Sequence, residues 1–197
     1  MAAPVPDPLA AAILAFWFGP QDSVSRNTAR DLWFRKDAAF DAEIRARFGD
    51  ATAVALAGGY GEWCVTPEGA LARVLLLDQF TRNIHRDTPA AFAGDARALA
   101  TAQDAIDRGL DRALDHNGRW FLYLPFEHAE DRVMQERSLA LFGALARESG
   151  LAAPLEWAQK HADVIARFGR YPHRNAILGR VPTPEEIAFL AEPGSRF

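Results

Sequence analysis

A chain of 197 residues that is 49% hydrophobic and 24% charged is long enough to bury a core and too apolar to stay disordered. Its net charge of -4 excludes nucleic-acid binding through bulk basicity. The single cysteine, Cys64, excludes an internal disulfide and fits a reducing compartment, so a soluble cytoplasmic protein is expected.

Residues 1–6 are expected to be flexible, and the absence of Lys or Arg before Arg26 is unlike a signal peptide. Asp7-Pro8 opens the first predicted helix. An N-cap carboxylate accepts an unpaired backbone N–H, and proline loses nothing at the first helical position. Leu9, Ile13, Phe16 and Trp17 form its apolar stripe, and the run Ala10 to Phe18 is too short to span a membrane. Gly19 to Asn27 is irregular. Phe40, Ile44 and Phe48 mark the next helix, with Asp41/Arg45 and Glu43/Arg47 as pairs one turn apart and Gly49 as its stop. Gly58 to Val65 is again irregular.

Thr66-Pro67 opens a helix through Leu71, Val74, Leu75 and Leu76 to about Thr81, and Thr88-Pro89 opens another segment. Leu99, Ile106 and Leu110 stripe the following helix, which Gly109 should stop. Pro125 is expected to kink or separate two helical patterns. Met134, Ser138, Leu141 and Leu145 mark a long helix that is apolar nearly all round, and therefore expected to be central. Trp157, His161, Val164, Ile165 and Phe168 form the last long stripe. Thr183-Pro184-Glu185-Glu186 is a capping box, with Glu186 reaching back to the cap. No period-2 strand or hairpin turn is visible. The expectation is one all-α domain over residues 1–197, with eight or nine helices in antiparallel hairpins. A 34-residue helix-pair period is only hinted at.

Three segments carry polar groups that a plain core does not require. In Leu75–Arg86, Asp78 follows an apolar run and Arg82 lies one turn on, close enough to pair. In Trp120–Glu130, Glu127-His128 follows an aromatic-rich stretch. A carboxylate beside an imidazole can tune a proton transfer, although adjacent helix positions diverge by about 100°. In His161–Arg180, four Arg and two His face the one acid Asp163, in a turn shaped by Gly169 and Pro172. All basic residues except Lys36 and Lys160 are Arg, whose planar head suits carboxylate or phosphate. Cys64 has no basic neighbour in sequence to make it a nucleophile. His128, His161, His173 and Glu127 have spacings too irregular for a metal motif, so a protein without metal or cofactor is expected.

The same segments resemble a known family. Phe16-Trp17-Phe18-Gly19, Leu77-Asp78-Gln79-Phe80-Thr81-Arg82-Asn83 with Arg86, Leu124-Pro125-Phe126-Glu127-His128, and Arg167–Asn175 with Leu178-Gly179-Arg180 are similar to the motifs of the bacterial family catalogued as domain of unknown function 924. Thr81 departs from that pattern, which has proline there. The resemblance implies an all-helical, tetratricopeptide-like right-handed superhelix and implies no activity.

The leading expectation is a binding module that takes an anionic small molecule or peptide carboxylate, with Asp78, Arg82, Glu127, His128, His161, Arg170, His173 and Arg174 around it. Neither nucleic acid nor membrane is an expected partner. The rivals are a metal-independent enzyme using a carboxylate–His acid/base pair and a scaffold whose polar cluster only ties helices together. The three segments are expected to converge in space, because charged groups beside apolar runs are costly unless paired or wet.

Overall fold

The computed structural model describes residues 7–20, 26, 28 and 30–195. The described residues form eight helices and no strand. Helix α1 is Pro8–Phe18 and α2 is Ala38–Leu56. Helix α3 is one continuous run made of Pro67–Val74, a π-helical segment Leu75–Phe80 and Thr81–Ile84. Then come α4 (Asp95–Asp107), α5 (His116–His128), α6 (Arg132–Ser149), α7 (Ala153–Phe168) and α8 (Pro184–Leu190). Short 3₁₀ segments, among them Pro89–Phe92 after Thr88, join them. None of these helices is long and apolar enough to cross a membrane. The stretch 1–6 and most of Gly19–Asn27 lie outside the described residues.

Local chemistry starts the helices where the punctuation places them. Asp7 accepts the Leu9 N–H, Thr66 accepts the Gly69 N–H, and Thr183 and Glu186 complete the capping box. Gly109, in the left-handed region at φ 73°, follows α4 as expected. Gly49 does not stop α2, which continues to Leu56. Helix α5 runs through Pro125 instead of ending there.

Two stripes are corrected. In α4 the buried face is Ala98, Thr101, Ala102 and Ala105, not Leu99, Ile106 and Leu110. Small residues win because α4 packs closely on α3. At its start, a Cβ on Gly94 would stand 2.0 Å from the Leu77 carbonyl oxygen. In α6 only one line is buried, Gln135, Ser138, Phe142 and Leu145, so that helix is not enclosed on all sides. The segment between α6 and α7 is short, and the two pack along each other as an antiparallel hairpin.

The chain divides into two compact units. The first holds the described residues up to Arg86 together with Ala90–Pro125, and the second holds Asp87–Pro89 and the described residues from Phe126 onward. The first unit is filled with rings. Trp17 is fully buried and packs against Trp33, Phe40, Phe80 and Phe121, with centroids 5.5 to 6.4 Å apart. The second unit has a smaller apolar cluster of Val164, Ile165 and Tyr171, flanked by Phe168 and Phe189.

Candidate functional site

Asp78 and Arg82 belong to the first unit. The π-helical segment that carries Asp78 is closed by Thr81, whose N–H and hydroxyl both donate to the Leu76 carbonyl. Asp78 is fully buried there. It accepts from Arg82 Nη1 at 2.9 Å and from Gln79 Nε2 at 2.5 Å. Arg82 also donates to Asp95 Oδ2 at 3.2 Å. Burial alone would lower the Arg82 pKa, but Asp78 and Asp95 outweigh it and raise it. The pair expected one turn apart is therefore formed, with Asp95 added. Arg86 grips Asp41 through Nε and Nη2 at 2.7 Å each. Asp41 thus takes Arg86 and Asn83, while Arg45 donates to the Ile84 carbonyl. The Glu43/Arg47 surface pair forms as expected, at 3.0 Å.

The other six predicted residues belong to the second unit, and five of them gather around Tyr171. At the end of α5, Glu127 is buried, and its Oε1 lies 3.1 Å from His161 Nδ1 on α7. The same nitrogen is 2.9 Å from the Trp157 carbonyl, which can only accept, so Nδ1 carries the proton and donates. A neutral imidazole protonated there has its acceptor lone pair on Nε2. Tyr171 is fully buried. Its hydroxyl donates to the Glu127 carbonyl at 2.5 Å and accepts from Gln135 Nε2 at 2.9 Å. The His161 ring meets Tyr171 edge-on at 5.5 Å and lies 6.3 Å from the His128 ring. His173 lies 5.6 Å from the Tyr171 ring, and the Arg174 guanidinium sits over that ring at 4.5 Å. Trp157, expected on the buried stripe of α7, is exposed, with Lys160 over its ring.

Burial dominates the protonation of this cluster. It pushes His161 down to about 3 and His173 down to about 4, with Arg174 adding to both. Both rings are neutral near pH 7. Burial also raises the Tyr171 hydroxyl well above its usual range.

The Arg-rich turn is less one-sided than its own sequence suggests, because acids from elsewhere reach it. Arg170 departs from the Tyr171 cluster. It donates from Nε and Nη2 to the two Glu186 oxygens, at 2.6 and 2.8 Å. Glu186 is held down to about 2, by Arg170 first. Its Oε2 also accepts from Asn175 Nδ2 at 3.1 Å and from the Thr183 N–H at 2.7 Å. Arg180 grips Glu130 through Nη1 and Nη2, at 2.6 and 3.0 Å, and Glu130 also accepts the Tyr171 N–H. Burial pushes the Glu130 carboxyl up, but Arg180, the Tyr171 N–H and Arg174 outweigh it and leave its pKa lowered.

Sequence reasoning missed Glu130, Gln135, Tyr171 and Asn175 as working members of this cluster, and it counted Arg180 in the basic segment without placing it among the binding residues. The capping-box position of Glu186 was the available signal for one more. It also missed that Arg73 reaches Cys64, Nη1 to Sγ at 3.7 Å. Among the described residues no group of three or more His, Cys, Asp or Glu is placed to hold a metal ion. Beside the cluster lies a cleft of about 320 Å³, lined by His173, Asn175, Ala176, Ile177 and Arg180 with Pro172, Pro182 and Leu190.

The comparisons with known proteins agree with this all-helical architecture. A family model described as a bacterial protein of unknown function, DUF924, matches residues 13–194. A solved structure of protein ATU0120 from Agrobacterium tumefaciens, of unknown function, is 43% identical, with a TM-score of 0.83. That match covers 93% of this chain and 97% of that one. No curated protein matches.

Proposed function

This chain belongs to the DUF924 family, and for it we propose a binding module whose second unit takes an anionic small molecule or peptide carboxylate. The observation that carries the reading is the cleft of about 320 Å³, which shares His173 with the buried Glu127–His161–Tyr171 cluster and has Arg180 in its wall. A concave, mainly apolar site with a few fixed polar groups is the usual form of a small-ligand pocket. Asp78 and Arg82 serve the first unit as a structural ion pair in this reading. A tetratricopeptide-like superhelix and a cytoplasmic setting are parts of the same proposal.

The test is thermal unfolding in the presence of acetate, citrate, phosphate and short peptides with free C-termini. At least one should raise the melting temperature in a concentration-dependent way. If none does, the binding reading fails and the scaffold reading takes its place.

The 3.1 Å contact between Glu127 and His161 favours a second reading, a metal-independent enzyme in which Glu127 orients His161 as a base. In that case Glu127→Gln would abolish turnover of a bound ligand while leaving its affinity within a few fold.

A further inference from the structure

The cleft carries more specific information than its charge. Asn175 is 2% exposed and lines it. Its Nδ2 donates to Glu186, a carboxylate that only accepts, so the amide orientation is fixed and Oδ1 is the other end. That buried Oδ1 has no hydrogen-bond partner among the described residues. Arg180 lines the same cleft. Its two terminal nitrogens are used by Glu130 and the Tyr171 carbonyl, while its buried Nε–H has no partner among the described residues. Two residues of the lining thus each hold a buried polar group, an acceptor on Asn175 and a donor on Arg180, that is costly to leave unmade. The rest of the lining is the neutral imidazole of His173 and the apolar Pro172, Ala176, Ile177, Pro182 and Leu190.

We propose that this cleft recognises an acylated amino acid with a free carboxylate and an apolar side chain, either as a free small molecule or as the C-terminal residue of a peptide. The ligand's amide N–H would donate to Asn175 Oδ1. Its carboxylate would accept from Arg180 Nε–H, a charge-assisted bond and therefore stronger than one from a neutral donor. Its side chain would lie on the proline and aliphatic walls. The inference rests on the binding reading above and narrows it to one ligand class.

Calorimetric titration of the full chain tests it with N-acetyl-leucine, N-acetyl-leucinamide, 4-methylpentanoate and a pentapeptide ending in leucine. The acid N-acetyl-leucine should bind. The amide lacks the carboxylate and 4-methylpentanoate lacks the N–H, so each should bind at least about tenfold more weakly, the effect of one good hydrogen bond. Ala176 is exposed at the cleft, so Ala176→Phe should block the site without disturbing the fold, and binding should be lost at an unchanged melting temperature. Arg180→Lys retains a charge for Glu130 but loses the Nε donor, and should weaken the acid more than the amide. Tighter binding of the pentapeptide than of N-acetyl-leucine identifies a peptide end as the source, and the reverse identifies a metabolite. The proposal is overturned if neither N-acetyl-leucine nor the pentapeptide binds, if N-acetyl-leucinamide or 4-methylpentanoate binds as well as N-acetyl-leucine, or if Ala176→Phe leaves affinity intact. Stabilisation by citrate or phosphate alongside such a failure would leave the broader binding reading standing. No stabilisation by any of them would remove both.

Discussion

In the first unit, Trp17 is surrounded by other rings, and the charged groups pair around that aromatic interior: Arg82 with Asp78 and Asp95, and Arg86 with Asp41. In the second unit the corresponding ring is Tyr171, and all three of its polar atoms are engaged. Its hydroxyl, N–H and carbonyl join Glu127, Gln135, Glu130 and Arg180. Contacts between rings carry little directional demand, so they stabilise without selecting a chemistry. A buried hydrogen-bonded network is directional, sensitive to protonation and intolerant of a missing member. That contrast is why the candidate site lies in the second unit.

The comparison breaks most visibly at its aromatic side. Trp17→Ala removes a fully buried ring and should cost about 3–5 kcal/mol, measured by urea unfolding. A loss below about 1 kcal/mol would mean that the first interior is not held by its rings.

Acid should act next, through the second unit's histidines. His161 has its folded pKa depressed to about 3, and His173 to about 4, from the ordinary 6.5. The unfolded chain therefore binds more protons between those values. The stability each supplies is complete above about 6.5 and is lost as pH falls through the folded values, with a limiting slope of about 1.4 kcal/mol per pH unit per histidine. Unfolding curves from pH 7.5 to 4.5 should show this loss, and His161→Leu should flatten it. An identical slope in that variant would show that His161 is not buried and neutral.

Gln135→Met sharpens the comparison by keeping the volume and removing the donor. Gln135 Nε2 lies within hydrogen-bond reach of the carbonyls of Phe126, Glu127 and Ala129 and of the Tyr171 hydroxyl. Their loss should cost about 1–3 kcal/mol. A neutral result would mean that the network is dispensable. The smallest effect belongs to the exposed Glu43–Arg47 pair of α2. Glu43→Ala should change stability by no more than about 0.5 kcal/mol in the same assay.

Most helix boundaries were legible, and the candidate site only in part. Glu127, His128, His161, His173 and Arg174 stand together, whereas Asp78 and Arg82, expected with them, belong to the first unit, where Arg82 pairs with Asp78 and Asp95. Arg170, from the same turn, instead engages Glu186. The turn looked unbalanced because Asp163 was the only acid near it in sequence, whereas Glu130 and Glu186 serve it in space. Arg73 likewise reaches Cys64 from the next helix, a contact in space that local spacing does not show.

What the sequence by itself determined is what acts within about one helical turn: the caps at Asp7, Thr66 and Thr183, the stop at Gly109, and the Phe40–Ile44–Phe48 stripe. These depend on backbone groups three or four residues away, which neighbouring side chains can reach whatever the rest of the chain does. Only the tertiary structure decided which face of α4 is buried and which partner each charge takes. Arg86 chose Asp41 across 45 residues and Arg180 chose Glu130 across 50. Several carboxylates compete for each guanidinium, and helix packing selects among them by bringing one within hydrogen-bond distance, which no local spacing encodes.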